Sequence, residues 1–210
     1  MTFVKVCGIT REEDMADAVE FGVSVLGFIL VPGSPRTLSL EKAAFLGKLV
    51  PPPVCRVAVM KNPSVDEIAR VERSGAFDCI QFHGSEEPVL LRNCSLRTIK
   101  AFSIEGVGDL ERASAYEGGN MLLLDSKKMN LEKGHTFDHS LLKKRAFRRP
   151  FFLAGGLGPS NLREALEKAR PFGVDLNSGV ESAPGIKDRT QLAAALEAVR
   201  EFDDFERRRH

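Results

Sequence analysis

Residues 151–179, FFLAGGLGPSNLREALEKARPFGVDLNSG, contain a complete strand–helix–strand unit. The apolar run FFLA has the length of a buried strand, and two glycines follow it. The next segment carries Leu162, Ala165, Leu166 and Ala169 at the i, i+3, i+4, i+7 spacing of an amphipathic helix. The run GVDL then predicts a second strand parallel to the first, because a crossover helix brings the chain back to its starting edge.

The same alternation of a short apolar run and an amphipathic segment occurs eight times, from FVKVCGI near the N-terminus to TQLAAALEAVREF near the C-terminus. Ser39 and Ser64 are predicted N-caps, and Gly75 is a predicted helix stop. Eight such units predict one (β/α)₈ barrel domain over residues 1–210. A doubly wound sheet is the alternative, but the place of its glycine-rich loop is taken here by CGIT.

The composition excludes several classes of protein. The chain has 30 Lys and Arg residues against 29 Asp and Glu residues, so no basic surplus indicates a nucleic-acid partner. No signal peptide is evident, and no apolar run reaches the roughly 20 residues that span a membrane. Cys7, Cys55, Cys79 and Cys94 form no CxxC pair, which favours reduced thiols in a cytoplasmic protein. The run Arg207–Arg209 is predicted to be a frayed, solvated end.

The candidate site residues lie where the predicted strands end, because active sites of these barrels occupy the carboxyl ends of the strands. The rule selects Cys7 after the first strand, Arg36 after the second, His83 after the fourth and Asp125 after the sixth. A carboxyl at the end of an apolar strand is costly to ionise, so we expect a raised pKa and the role of a general acid for Asp125. A helix cap or an ion pair with a nearby lysine is the alternative.

Cys7 is a candidate base. It shares a strand face with Lys5, since side chains alternate along a strand, and a nearby ammonium favours the thiolate. Gly8 would leave space beside the sulfur. A packed core thiol is the alternative.

Two glycine turns predict a phosphate site. Gly155 and Gly156 follow the seventh strand, and Ser178 and Gly179 follow the eighth. The loops after these two strands commonly bind phosphate in such barrels, because glycine lets backbone N–H groups approach an anion and the next helix offers its positive end. The alternative is that both are ordinary turns.

The histidines do not predict a metal site. His83 shares a strand face with Gln81, and a hydrogen-bonded structural histidine is the more common use of such a residue. His135 and His139 are four residues apart, but no third ligand accompanies them. The residues alone therefore indicate a barrel enzyme for a phosphorylated small molecule, and an isomerase fits better than a hydrolase.

Several segments together resemble the phosphoribosylanthranilate isomerase family. They are KVCGIT, GFILVPGSPR, QFHGSEE, LLLDS, GHTFDHSLL, LAGGLGPSN and DLNSGVESAPGIKD, and they cover the chain from Lys5 to about Asp188. The resemblance implies a cofactor-free Amadori rearrangement of N-(5-phosphoribosyl)anthranilate in tryptophan biosynthesis.

The resemblance also implies roles for single residues. Asp125 is the general acid, Cys7 is the general base and Arg36 pairs with the anthranilate carboxylate. Gly155, Gly156, Ser178 and Gly179 bind the phosphate, and His83 joins the candidate substrate-binding residues. The segment from Ser126 to Thr136 is expected to be a mobile lid, and His139 stands where the family usually has tryptophan.

Two other functions stay open at this point. Another phosphosugar enzyme on the same barrel, such as a decarboxylative synthase, would need strand-end lysine and glutamate; Lys100 is available, but a matching glutamate is not evident. A non-catalytic phosphosugar-binding protein would not need the pairing of Cys7 with Asp125. We expect a small-molecule phosphoribosyl substrate, no membrane or nucleic-acid partner, and a monomer.

Overall fold

Eight parallel strands form a closed barrel in chain order. The computed structural model describes residues 1–126 and 147–209. The register Lys5↔Asp175 between the first and last strands closes the barrel. The strands are β1 (Phe3–Cys7), β2 (Val25–Ile29), β3 (Cys55–Met60), β4 (Cys79–Phe82), β5 (Arg97–Ser103), β6 (Met121–Asp125), β7 (Phe151–Ala154) and β8 (Gly173–Leu176). The predicted (β/α)₈ barrel is confirmed.

Helices connect the strands on the outside of the barrel. They are α1 (Glu12–Glu20), α2 (Leu40–Leu49), α3 (Val65–Arg73), α4 (Pro88–Arg92), α5 (Val107–Ala115), α6 (Leu162–Ala169) and α7 (Arg189–Arg209). Ser39 and Ser64 cap α2 and α3 as predicted, each accepting a backbone N–H of the first turn. None of these helices combines the length and the apolar character needed to cross a bilayer. The helix predicted after β6, from DHSLLKKRAF, falls almost entirely outside the described residues.

The C-terminal arginines are helical, so the prediction of a frayed end was wrong. Arg207 and Arg209 lie in the last turn of α7 and approach Asp204 and Glu206, three residues earlier. The helix is anchored close to that turn, because Asp203 accepts hydrogen bonds from the backbone N–H and the hydroxyl of Thr2. Propagation from an anchored turn costs little, so the helix continues to Arg209.

A short excursion follows β8 that the sequence did not predict. A 3₁₀ turn (Ser178–Val180) leads into two short antiparallel strands, β9 (Glu181–Ala183) and β10 (Ile186–Lys187). This hairpin lies between the last barrel strand and α7, and it carries charged side chains back towards the mouth of the barrel.

The apolar side chains form two cores. One fills the barrel and includes Cys7, Val57 and Leu123. The larger one lies between the strands and the helices and includes Val6 and Leu166. Successive residues of a strand point to opposite faces, so each strand supplies both cores. The prediction that Cys7 and Lys5 share the inner face is confirmed, because Lys5 is fully buried and bonds to Asp175 across the seam.

The outer core predicts the cost of shortening Leu166, which is completely buried on α6. We expect Leu166→Ala to lower the free energy of unfolding by about 2–5 kcal/mol, because it removes buried methyl groups and leaves a cavity. Leu49→Ala is the control, since Leu49 is 46% exposed at the end of α2. Urea denaturation of both variants tests this, and equal losses would contradict the assignment of the core.

Candidate active site

A cavity of about 200 Å³ opens at the carboxyl ends of the strands. It brings together six of the eight site residues predicted from the sequence: Cys7, His83, Asp125, Gly155, Gly156 and Ser178. Gln81, Asp175 and Asn177 also line it. The thiol, the carboxyl and both glycine turns therefore face one space.

Cys7 lies at the end of β1 beside a buried ion pair. Lys5 Nζ is 2.9 Å from Asp175 Oδ1, and the two side chains are 0% and 8% exposed. The neighbouring strand makes room with a glycine, because a methyl group at Gly27 would lie 2.8 Å from Cys7 Sγ and 3.2 Å from Lys5 Nζ. The sulfur and the ammonium therefore occupy space that only glycine on β2 leaves free.

Lys5 favours the thiolate of Cys7, as expected, but burial has the larger effect on the thiol. Burial raises the pKa of the Cys7 thiol above its ordinary value, and the attraction of the Lys5 ammonium opposes this rise without cancelling it. Burial also disfavours the charged form of Lys5, but Asp175 outweighs it and raises the pKa of the ammonium. Cys7 is therefore a neutral thiol at neutral pH, beside an ammonium that Asp175 keeps charged.

Asp125 ends β6 and faces the cavity with 27% of its side chain exposed. His83 Nε2 lies 3.7 Å from Asp125 Oδ2, which is too long for a direct hydrogen bond. The other ring nitrogen, His83 Nδ1, lies 3.3 Å from Gln81 Nε2, which holds the ring in place. Burial lowers the pKa of His83, so the imidazole beside the carboxyl is neutral at neutral pH.

The two glycine turns after β7 and β8 pack backbone against backbone. A methyl group at Gly158 would lie 2.4 Å from the carbonyl oxygen of Gly179, and one at Gly179 would lie 2.0 Å from that of Leu157. Gly155 and Gly156 have φ values of +118° and +67°, which side-chain-bearing residues rarely adopt. Glycine is therefore required for the mouth of the barrel to close on this side. Gly179 itself supports the turn and does not line the cavity.

Arg36 lies at the edge of the cavity and does not line it. Its aliphatic chain crosses Gly8, where a methyl group would lie 2.7 Å from Arg36 Cδ and 2.9 Å from Asn177 Oδ1. Its guanidinium bonds to Glu181 on β9. The space that Gly8 leaves is therefore filled by the arginine and an asparagine.

A larger groove of about 860 Å³ lies on the other side of His83. Lys100 is buried in its wall and donates to Glu86 Oε2, the carbonyl oxygen of Gly84 and that of Ala101, at 3.0, 2.7 and 3.1 Å. Lys100 in the middle of β5 and Glu86 in the loop after β4 thus form a pair that the sequence did not reveal. All three protons of the ammonium are committed to protein acceptors, so this lysine holds the loop after β4.

Within residues 1–126 and 147–209, no three His, Cys, Asp or Glu side chains are arranged to hold a metal ion. His135 and His139, the pair considered from the sequence, lie outside the described residues, as does most of the segment expected to form a lid.

Residues 4–198 match the family model described as N-(5'-phosphoribosyl)anthranilate (PRA) isomerase. A curated N-(5'-phosphoribosyl)anthranilate isomerase from Petrotoga mobilis is 47% identical over 203 residues, which cover 95% of this chain and 97% of that relative.

Solved structures of similar proteins share the fold. A phosphoribosyl anthranilate isomerase in complex with reduced 1-(o-carboxyphenylamino)-1-deoxyribulose 5-phosphate has a TM-score of 0.86 at 37% identity, with 96% of this chain and 100% of that chain covered. Monomers of the dimeric enzyme from Thermotoga maritima give a TM-score of 0.83 at 34% identity, with 95% and 99% covered.

The packing around Gly8 predicts the effect of a single methyl group. Gly8 and Gly75 have φ values of +75° and +62°, but only Gly8 has side chains within contact distance of an added methyl group. We expect Gly75→Ala to cost about 1–2 kcal/mol from backbone strain alone. Gly8→Ala should cost more, because Arg36 must also move away from Glu181. Equal losses in urea denaturation would contradict this close packing.

Proposed function

This chain belongs to the N-(5'-phosphoribosyl)anthranilate isomerase family, and we propose that Cys7 and Asp125 are the base and the acid of its reaction. The protein is an isomerase of tryptophan biosynthesis that acts on N-(5'-phosphoribosyl)anthranilate. The observation that carries the two roles is the convergence of a thiol and a carboxyl on one cavity bordered by both glycine turns. β1 and β6 are not neighbours in the barrel, so the two groups approach a ligand from different sides.

Asp125 starts the reaction in this proposal. The protonated carboxyl donates its proton to the ring oxygen of the ribose, and the ring opens as the C1–O bond breaks and a Schiff base forms with the anthranilate nitrogen. Asp125 lies at the cavity wall beside His83. Because His83 is neutral, it adds no positive charge that would favour the ionised carboxylate.

Cys7 continues the reaction as a thiolate. It removes the proton from C2 of the open sugar, and the electron pair moves to form an enolamine, which tautomerises to the ketone product. Lys5 is positioned to stabilise the thiolate when it forms, because its ammonium stays charged against Asp175. Burial raises the pKa of Cys7, so only a small fraction of the protein carries the thiolate. The combination of a Cys7 thiolate with a protonated Asp125 is therefore a minor protonation state.

The remaining predicted residues bind the substrate in this proposal. The backbone of Gly155, Gly156 and Gly179 with the hydroxyl of Ser178 receives the phosphate. Arg36 offers its guanidinium to the anthranilate carboxylate, since a planar fork of donors matches a carboxylate. His83 contacts the substrate from the cavity wall.

Other expectations stay proposals. We keep the cytoplasm as the location and the monomer as the oligomeric state; most of the segment expected to form a lid, Ser126 to Thr136, lies outside the described residues. The four free cysteines agree with a reducing compartment. A relative is described as dimeric, so light scattering of the purified protein tests the monomer directly.

The function is tested by adding purified protein and a metal chelator to phosphoribosylanthranilate and following the loss of its fluorescence. A phosphosugar-binding protein would leave the signal unchanged. A decarboxylative synthase would act on the rearranged product and not on phosphoribosylanthranilate, and it would need Lys100, whose protons are already committed.

We expect Cys7→Ser and Asp125→Asn each to lower kcat by about 10²–10⁴-fold, because each removes one proton-transfer group. KM should change much less. Cys79→Ser is the matched control, since Cys79 is another buried thiol of the barrel interior and does not line the cavity. A near-normal kcat for folded Cys7→Ser would show that this thiol is only core packing.

The pH profile of kcat/KM should be bell-shaped and belong to the acid and the base jointly. Because the pKa of Cys7 is raised, the alkaline limb of the profile should lie at a higher pH than that at which an ordinary thiol ionises. Lys5 lowers the pKa of Cys7, so Lys5→Met should move that limb to still higher pH and reduce the plateau. Lys48→Met, on the exposed surface, should change neither. A limb that moves to lower pH would contradict the role of Lys5.

A further inference from the structure

Arg36 is fixed by a carboxylate that contacts one edge of its guanidinium. Arg36 Nε donates to Glu181 Oε1 at 2.9 Å, and Arg36 Nη2 donates to Glu181 Oε2 at 2.5 Å. The two side chains are 17% and 4% exposed. In residues 1–126 and 147–209, no protein group bonds to Nη1. The bidentate pair therefore fixes the plane of the guanidinium and leaves one corner of the fork for a ligand.

Glu181 is in turn held by a second cation. Lys187 Nζ lies 2.8 Å from Glu181 Oε1 and 3.0 Å from Asn177 Oδ1, and the backbone N–H of Gly185 donates to Glu181 Oε1 at 3.2 Å. Lys187 is 1% exposed on its side chain. Pro184 and Gly185 form the hairpin turn that brings residues 181 and 187 together.

The charges of this cluster do not cancel. One carboxylate, Glu181, stands between two cations, Arg36 and Lys187, so the cluster with a protonated lysine carries a formal charge of +1 (two positive charges and one negative). Burial lowers the pKa of Lys187, and its contact with Glu181 opposes this shift. Without Lys187 the pair of Arg36 and Glu181 would be neutral and would attract an anion weakly. The lysine therefore allows the arginine to be clamped by a carboxylate and still face a ligand with positive charge.

The cluster reaches the cavity through Asn177 and the edge of the cavity through Arg36. Asn177, which accepts from Lys187, lines the cavity itself. Arg36 packs over Gly8, next to the proposed base Cys7. A displacement of the hairpin is thus transmitted to the arginine at the edge of the site.

We propose that Glu181 and Lys187 are positioning residues for substrate specificity, which act through Arg36 on the carboxylate of the aromatic ring. Glu181 fixes the orientation of the guanidinium, and Lys187 keeps the cluster positive. This inference rests on the proposed function, because it takes Arg36 as the contact for that carboxylate.

The test compares two ligands that differ only in that carboxylate. One is reduced 1-(o-carboxyphenylamino)-1-deoxyribulose 5-phosphate, the compound bound in a related structure, and the other is the same compound without the ring carboxyl. Calorimetry gives both dissociation constants. We expect the wild type to prefer the carboxylated ligand by about ten- to a hundred-fold, the value of one charge-assisted hydrogen bond.

Glu181→Gln should lose most of this preference and bind the decarboxylated ligand as the wild type does, with kcat nearly unchanged and KM raised. Lys187→Met should also lose preference, because the cluster becomes neutral. The double variant Arg36→Met with Glu181→Gln should show the same preference between the two ligands as Arg36→Met alone, since Glu181 acts through the arginine. Glu181→Gln with Lys187→Met removes the buried pair together and covers the case in which a single variant does not fold.

Equal weakening of both ligands in Glu181→Gln would overturn the proposal, because the hairpin would then support the whole site. An unchanged preference would overturn it as well. A wild type that turns over phosphoribosylanthranilate but binds the two ligands equally would show that Arg36 does not contact the ring carboxylate. That result would overturn this inference and leave the isomerase function intact. A wild type without turnover would instead refute the proposed function.

Discussion

The buried pair of Lys5 and Asp175 joins the first and last strands of the barrel, and the chemistry of the site depends on it. Two charges at this depth are costly to desolvate, and their attraction offsets that cost only at close range. The pair therefore adds little net stability by itself, but it fixes an ammonium beside Cys7 at the seam where β1 meets β8. A hydrophobic pair could close the same seam without any influence on the thiol.

Burial at this seam favours the protonated thiol of Cys7. Burial acts on Cys7 more strongly than the ammonium does, so its pKa rises. The proposed reaction needs a thiolate and a neutral carboxyl, and it would then use a minor protonation state of the two groups. Asp175 keeps Lys5 charged, so in the proposed reaction the ammonium is in place before the proton leaves the sulfur.

Close packing at the mouth of the barrel is made possible by missing side chains. Gly27 leaves room for the sulfur, Gly8 for Arg36, and Gly158 with Gly179 for the contact between two turns. Each of these glycines lies where a polar group of the site must approach the backbone. The groups that approach these glycines come from distant parts of the chain. Each glycine is therefore required by a contact that the sequence around it does not show.

The sequence by itself determined the barrel, the strand ends and the residues carried there. Apolar periodicity is a local property, and parallel strands with crossover helices bring every carboxyl end to one rim, so Cys7, Asp125 and both glycine turns could be identified. Only the tertiary structure decided which charges meet. Lys5 bonds to a residue 170 positions away and Arg36 to one 145 positions away, and such pairings depend on barrel register and on an unpredicted hairpin. Burial, the main cause of the raised pKa of Cys7, likewise depends on neighbours from many strands. The sequence around Cys7 therefore could not predict that pKa.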